Sequence, residues 1–189
     1  MPGSSLADRR LVSRPVLGTK TAFRSAGISL TALPEGHVIH VLGKPGGPDL
    51  APLLSRMTGG KPHAVRAASP AQWFIVGDGP LSATDIARVI DTLPPGAAGI
   101  DQSHGRVRIR IEGSMVEQAL AKGTAVDLAV SAFPVGHSAT TLIGHLPAHV
   151  TRVAEDAFEL IVLRTFAESL WDDLVTMSNG PAPGRRHRP

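Results

Sequence analysis

The stretch GRVRIRIEGSMVEQALAKG, residues 105–123, decides the fold because its apolar period changes at a glycine. Across residues 107–111, valine and isoleucine alternate with arginine, which is the two-residue period of a half-buried strand. After Gly113 the apolar residues follow helical spacing, and Ser114 and Glu117 have the spacing of a capping box. A strand followed at once by a capped helix predicts a chain of mixed α and β structure.

The same alternation of strand and helix patterns continues on both sides of this stretch. Further strands are predicted at residues 38–42, 73–76, 99–103, 138–146, 148–153 and 157–163, and further helices at 53–60, 82–93 and from Thr165 onward. Paired strands with intervening helices are typical of two-layer α+β folds. We therefore predict an α+β protein in which ferredoxin-like βαβ repeats form a mostly antiparallel sheet with helices packed on it.

The regular patterns do not cover the whole chain, and its composition divides it into three parts. Residues 1–35 are mixed in character and predict an N-terminal arm of irregular structure. Residues 36–178 carry the strand and helix patterns and predict one α+β domain. Residues 179–189 are rich in proline, glycine and arginine and predict a flexible basic tail.

The charge distribution argues against a nucleic-acid-binding or membrane protein. The sequence pI is about 9.9, but the excess of basic residues lies in residues 1–24 and 180–189. Residues 25–178 hold 11 basic and 15 acidic residues, whereas a nucleic-acid groove concentrates positive charge on the folded face. No apolar run is long enough for a transmembrane helix. A cysteine-free chain of this kind is expected to be cytoplasmic.

Three residues with catalytic side chains stand close together just before the arginine strand. A serine nucleophile requires a base within hydrogen-bond reach and an oxyanion site. Ser103 and His104 are neighbours in one extended segment and should point to opposite sides. We therefore expect Asp101, Ser103 and His104 to form a turn rather than a triad, and we predict no catalytic residue in the chain.

Neither a metal site nor a phosphate loop is predicted. His145 and His149 have i, i+4 spacing, but Pro147 lies between them and the glutamate of a zincin motif is missing. The glycine-rich segments near Lys44 and Lys61 do not match a phosphate-binding loop. We therefore expect the histidines to be scattered over the surface rather than gathered around a metal ion.

Arginines at alternate positions of one strand place three positive charges on one face of the sheet. Such a row is most often a solvated face, but it can also receive the carboxylates of a partner. Arg106, Arg108 and Arg110 are accordingly the candidate interface residues.

The order of several motifs resembles one known family, the gamma subunit of heterotetrameric sarcosine oxidase. The resemblance covers about residues 63–175 and rests on motifs that occur in the family's order. They are Asp101-x-Ser103 with Arg106, Ala121-Lys-Gly123, Asp127-Leu128, the turn Ala132-Phe-Pro-Val-Gly136, Thr141-Leu142, and Arg164-Thr-Phe-Ala167 with Leu170 and Trp171.

The resemblance implies a non-catalytic, assembly subunit of a complex that oxidatively demethylates sarcosine to glycine and transfers the one-carbon unit to tetrahydrofolate. It implies alpha, beta and delta subunits as partners. FAD, FMN, NAD, tetrahydrofolate and zinc are then expected in those partners, with no cofactor bound by this chain alone. It also implies a fold similar to the folate-binding aminomethyltransferases. The chain would be part of an oxidoreductase, without an active site of its own.

Two alternatives remain open from the sequence. A stand-alone folate-binding protein of the aminomethyltransferase superfamily would use Asp101 to hold the pterin ring, because a carboxylate can pair with its amino and ring nitrogens. Even in an assembly subunit, Asp101 is the candidate relic of such a folate site. A nucleic-acid binder would use the basic ends of the chain and would weaken steeply with salt.

Overall fold

The computed structural model describes residues 14–20, 22–25 and 27–179. It confirms the predicted α+β class: the strands pair antiparallel, and helices pack on them. The strands are β1 (Phe23–Ser25), β2 (Ile28–Ala32), β3 (His37–Leu42), β4 (Val65–Ser69), β5 (Gln72–Gly77), β6 (Ala98–Asp101), β7 (Arg106–Glu112), β8 (Ser138–Ile143), β9 (Leu146–Ala154) and β10 (Ala157–Leu163). The helices are α1 (Ala51–Met57), α2 (Ala83–Asp91), α3 (Val116–Leu120) and α4 (Ala167–Asn179), the last preceded by a 3-10 turn at Arg164–Phe166.

A four-stranded sheet contains the first βαβ repeats. Its strand order is β4-β5-β3-β6, and each neighbouring pair is antiparallel. The chain order β3-α1-β4-β5-α2-β6 with this strand order is the ferredoxin-like arrangement of two split βαβ units. Apolar residues of β3 and β5 alternate toward α1 and α2, where Ile39, Val41, Trp73 and Ile75 form a core with Leu54.

A six-stranded sheet forms the second half of the molecule. Its strand order is β1-β2-β7-β10-β9-β8, again antiparallel between described neighbours. The isoleucines of β7 and alternate residues of β10 face α3 and α4, and this core holds Leu120, Leu170 and Trp171. Its helices therefore lie on one face of the sheet.

The two sheets pack against each other through the faces that the helices leave uncovered. Val38, Phe74 and Val76 of the four-stranded sheet form a small apolar cluster with Ile161 of β10. The layers consequently follow the order helices, sheet, sheet, helices. The strands thus form two stacked sheets rather than the single sheet expected from the sequence, because the apolar pattern of a strand does not reveal which sheet it joins.

The prediction of an irregular N-terminal arm is wrong for residues 23–25 and 28–32. β2 pairs with β7, and Leu30 is completely buried against the helices of the six-stranded sheet. The segment ISLTA is short and carries only two large apolar residues, so its strand period was too weak to detect. Residues 1–13, including Arg9 and Arg10, lie outside the described residues, as does the predicted tail from residue 180.

The helix caps agree with the sequence at one site and differ at another. Ser82 caps α2 as expected, because its hydroxyl accepts a hydrogen bond from the Asp85 backbone N–H at 3.1 Å. The predicted capping box at Ser114 is wrong: α3 begins at Val116 without a side-chain cap. Glu117 instead accepts a hydrogen bond from Arg152, so a tertiary ion pair replaces the local cap.

None of the helices in the described part of the chain has the length and apolarity needed to cross a bilayer.

Candidate functional site

The segment around Asp101 forms a structural turn at the end of β6. The Ser103 hydroxyl donates to Asp101 Oδ1 at 2.5 Å and accepts from the Val38 backbone N–H at 3.1 Å. The Ser103 backbone N–H also donates to Asp101 Oδ1, at 2.9 Å. The serine hydroxyl is thus directed to the aspartate and to β3, which is the geometry of a turn and not of a nucleophile activated by histidine.

Asp101 itself lies on the surface. Burial acts to raise the pKa of its carboxyl group, but the two hydrogen bonds from Ser103, together with the electrostatic effect of His104 and His37, hold the pKa below its ordinary value. The group is therefore a carboxylate at neutral pH, and one of its oxygens is engaged by Ser103. Nothing in these contacts points to a pterin ring, so the folate-relic role of Asp101 stays a prediction.

The arginine row of β7 lies between the two sheets of this chain. Arg108 is 5% exposed, so the expectation of a solvated face is wrong at this position. Arg106 Nε donates to Gln102 Oε1 at 2.6 Å, and its guanidinium lies 5.0 Å from the centre of the Phe74 ring. The face is covered by the four-stranded sheet, which a strand period alone cannot indicate.

A buried glutamate on β10 connects the arginines of both sheets. Arg66 of β4 donates from Nη2 to Glu159 Oε2 at 2.5 Å, and Arg110 donates from Nη2 to Glu159 Oε1 at 2.6 Å. Arg108 Nη1 lies 3.8 Å from Glu159 Oε2, while its Nη2 donates to Asp78 Oδ1 at 2.5 Å. We call Arg66, Arg108, Arg110, Glu159 and Asp78 the inter-sheet cluster.

The electrostatics of the inter-sheet cluster keep its groups charged. Burial would raise the pKa of Glu159, but the positive charge of Arg66 and the hydrogen bonds from Arg66 and Arg110 lower it below the usual range. Burial lowers the pKa of Arg66, and the neighbouring Glu159 opposes that effect. Three guanidinium groups therefore share two carboxylates, which leaves an excess of one positive charge.

A cavity of about 790 Å³ opens beside the inter-sheet cluster. Its walls come from the end of α1, the loop at residues 61–64, the turn at residues 77–81, and α2. All five residues of the inter-sheet cluster line it. This cavity thus exposes the same charged groups that join the two sheets, and concave sites with a few convergent charged groups are where small ligands usually bind. Asp101 is not among the lining residues.

Sequence reasoning missed three members of the inter-sheet cluster, Arg66, Asp78 and Glu159. Glu159 lies in a predicted strand whose residues were treated as core material. A signal was present, because Glu159 is the only charged residue in the run Ala157–Leu163. A charge inside such a run requires a partner. The arginine row of β7 supplies it through Arg110, which is directly opposite Glu159 in the strand register, and through Arg108, which is opposite Ile161.

Arg152 forms a second buried charged group, on the helix side of the six-stranded sheet. It is completely buried, and its Nη2 donates to Glu117 Oε1 at 2.7 Å and to the Leu128 carbonyl. Its Nη1 donates to the Glu155 carbonyl, and the guanidinium lies 4.4 Å from the centre of the Phe158 ring. Arg152 does not line the cavity, so its contacts serve to hold α3 and two loops to the sheet.

The described histidines do not gather into a metal site. Within residues 14–20, 22–25 and 27–179, no three His, Cys, Asp or Glu side chains are arranged to hold a metal ion. His149 is buried between the sheets, where its Nε2 donates to the Ala67 carbonyl at 2.9 Å. His145 lies in the turn between β8 and β9, so the two histidines do not share a helical face.

Comparison with protein families found one family whose model matches most of the chain. The family is described as sarcosine oxidase, gamma subunit family, and its model matches residues 50–179. No match was found among curated protein sequences. The matched region contains all of the ferredoxin-like unit except β3, and four strands of the six-stranded sheet, β7 to β10.

Comparison with solved structures gives the same fold. A chain in the structure of heterotetrameric sarcosine oxidase from Corynebacterium sp. U-96, in complex with pyrrole 2-carboxylate, matches with a TM-score of 0.73. The match covers 90% of this chain and 98% of that chain at 17% sequence identity. At this identity the match demonstrates a shared fold, which extends over nearly the full length of both chains.

Proposed function

Because this chain belongs to the sarcosine oxidase gamma subunit family, we propose that it works as a non-catalytic assembly subunit of a heterotetrameric sarcosine oxidase complex. The observation that carries the proposal is the family match over residues 50–179. The geometry agrees with it, because Ser103 is committed to a turn and the charged residues between the sheets pair with one another. The chain then contributes a stably folded surface to which other subunits bind.

The other members of the complex would supply the chemistry. We infer that the alpha, beta and delta subunits are the partners and that they hold FAD, FMN, NAD, tetrahydrofolate and zinc. In the complex, oxidative demethylation of sarcosine gives glycine, and the one-carbon unit passes to tetrahydrofolate. Molecular oxygen accepts the electrons and leaves as hydrogen peroxide. None of these steps is assigned to a residue of this chain.

Exposed apolar side chains form a surface that can contact another subunit, whereas the arginine row of β7 lies between the two sheets. Leu142 on β8 and Val135 in the preceding loop are 54% and 48% exposed. β8 is an outer strand of the six-stranded sheet, so Leu142 stands at an accessible edge. Exposed apolar residues at a sheet edge favour association with another chain. We therefore infer that this edge contributes to assembly, whereas Arg108 is already engaged inside the chain.

Co-expression and co-purification test the proposed role. The tagged full chain is expected to recover a large flavin-containing partner, while the chain purified alone should be colourless and inactive toward sarcosine. Sarcosine oxidation by the isolated, flavin-free chain would contradict the proposal. So would failure to co-purify with any flavoprotein subunit encoded beside it.

A matched pair of surface variants tests the proposed edge. Leu142→Asp places a charge on an apolar side chain at this edge and should reduce recovery of the partner about tenfold or more, as expected for an interface position. His145→Asp introduces a carboxylate three residues away in an exposed turn and serves as the control. Recovery with Leu142→Asp equal to that with the unchanged chain would show that the edge containing Leu142 is not part of the interface.

A further inference from the structure

We propose that the cavity beside the inter-sheet cluster binds a small organic anion, with a carboxylate or phosphate held by Arg66, Arg108 and Arg110 and an apolar body held by the opposite wall. This binding role goes beyond assembly and does not depend on it. It would give the chain a ligand of its own within the family fold.

The charge of the cavity selects for an anion. Its lining contains five basic side chains and only two carboxylates, Asp78 and Glu159. The basic residues are Arg66, Arg88, Arg108, Arg110 and Lys61, and Arg88 pairs with Asp85, which lies outside the lining. Both carboxylates already pair with arginines of the inter-sheet cluster. The uncompensated charge is therefore positive, and a concave, partly desolvated site strengthens its attraction for a ligand anion.

Hydrogen-bond donors without a partner indicate where in the cavity an anion would bind. Arg66 is 3% exposed, and its Nη1 has no hydrogen-bond partner among the described residues. The buried Nε of Arg110 has none either. A buried guanidinium donor without a partner carries a substantial free-energy cost. Since both arginines line the cavity, an oxygen of a bound anion can accept from them.

The rest of the wall suits an apolar body rather than a bare ion. Ile39, Ile75, Val89, Leu81 and Met57 line the cavity on the side of α1 and α2. The volume of about 790 Å³ lies within the range of small-molecule sites and is much larger than an inorganic anion requires. Apolar lining with a few convergent charged groups is the usual composition of a ligand pocket.

Calorimetric titration of the full chain with simple aromatic anions tests this inference. Phenyl phosphate and benzoate are the probes, phenol is the neutral probe, and inorganic phosphate supplies the charge without the apolar body. At constant ionic strength, either aromatic anion is expected to bind saturably with a 1:1 ratio and at least about tenfold more tightly than phenol, because the difference is one set of charge-assisted hydrogen bonds. Inorganic phosphate should bind more weakly than phenyl phosphate.

Two variants and one control connect binding to the cavity. Arg110→Gln removes a half-exposed cation with an unused Nε donor and should weaken binding about tenfold or more. Val89→Phe fills the apolar wall without changing charge and should weaken binding by sterics. Lys44→Gln removes one exposed positive charge outside the cavity and should leave the affinity unchanged within about twofold, since bulk salt screens exposed charges.

Urea unfolding of each variant establishes that it is folded before titration. The inference is overturned if neither aromatic anion binds saturably, if phenol or inorganic phosphate binds as tightly as phenyl phosphate, or if Lys44→Gln weakens binding as much as Arg110→Gln. If Arg110→Gln does not fold, Val89→Phe decides the result, because unchanged binding in that variant also overturns the assignment.

Discussion

Arg66 and Arg152 are two of the buried arginines of the described chain, yet their surroundings differ. Arg152 lies on the helix side of the six-stranded sheet, where one carboxylate, two backbone carbonyls and the Phe158 ring surround it. Arg66 lies between the sheets, pairs with Glu159 and lines a cavity. One arginine is enclosed by the chain's own groups, and the other borders open space.

The difference shows that burial alone does not distinguish a structural arginine from one available to a ligand. Arg152 joins α3 and two loops through fixed acceptors that offset part of its cost of desolvation, although its Nε has no hydrogen-bond partner among the described residues. Around Arg66, three guanidiniums share Glu159, and the positive charge exceeds the carboxylates available. The informative feature is the balance of charge and acceptors around the group.

The largest effect is expected when the inter-sheet cluster loses its shared carboxylate. Glu159→Gln keeps the shape but leaves the three arginines without their common anion, which should lower the free energy of unfolding by about 3–5 kcal/mol. Urea unfolding of the full chain measures the change. Phenyl phosphate should restore part of the loss, because an anion can replace the missing charge.

Glu155→Gln is the matched control for this substitution, since Glu155 lies four residues away in an exposed turn. It should change the free energy of unfolding by less than about 0.5 kcal/mol. A loss below about 1 kcal/mol in Glu159→Gln would show that the cluster contributes little to the contact between the sheets.

Removing Arg152 should have the next largest effect and should not respond to anions. Arg152→Met retains an apolar stem beside Phe158 but leaves the Leu128 and Glu155 carbonyls without that donor. We expect a loss of about 2–4 kcal/mol in the free energy of unfolding, measured by urea. Arg56→Met, on an exposed face of α1, is the control. Restoration of Arg152→Met by phenyl phosphate beyond the effect on the unchanged chain would erase the proposed distinction between the two arginines.

The pH dependence of stability tests the environment of His149, which is buried between the sheets. Burial between the sheets lowers the pKa of His149 from 6.5 to about 4, and the charges of Arg66 and Arg106 act in the same direction. Between these pH values the unfolded chain takes up a proton on this histidine and the folded chain does not. Stability should therefore fall by about 3 kcal/mol as the pH falls from 6.5 to 4.

His149→Gln removes this titration while keeping a donor for the Ala67 carbonyl. Urea midpoints of the variant should change much less across the same pH range. The contribution of Glu159 to stability is lost as the pH falls from about 4.5 toward the lowered pKa of its carboxyl group, so it overlaps the His149 titration only at the acid end of this range. Identical pH profiles for the variant and the unchanged chain would disprove the assignment to His149.

The smallest effect is expected outside both arginine sites, at the turn after β6. Ser103→Ala removes the acceptor for the Val38 N–H and the hydroxyl donor to Asp101, and should cost about 1 kcal/mol. Faster hydrogen exchange of the Val38 amide should accompany the loss. His104→Ala, at the next exposed position, should change stability by less than about 0.5 kcal/mol. A larger loss in His104→Ala than in Ser103→Ala would contradict the structural role of the serine.

Prediction from sequence succeeded where the pattern is local. The alternation in β7 located the strand and assigned its isoleucines to the core. The spacing in α2 identified its apolar side and the cap at Ser82. The order of motifs identified the family, which the family comparison confirms. Each of these signals depends on residues close together in the chain, where helix and strand periods are directly encoded.

Prediction failed where one face of a strand meets a distant part of the chain. The arginine row was expected to be solvated, but Arg108 is buried because the four-stranded sheet covers that face. Arg66 and Glu159 are 93 residues apart, and the sequence around neither position identifies the other as its partner. β2 was missed because its five residues acquire their order from pairing with β7.

The sequence by itself therefore determined the α+β class, most strands and helices, and the family, since all of these follow from local periods and from the order of motifs. Only the tertiary structure decided that two sheets stack with their charged faces together and leave a cavity beside them. The physical reason is that a period of two residues assigns side chains to one face of a strand but carries no information about what covers that face. The role of the arginines depends on that covering layer.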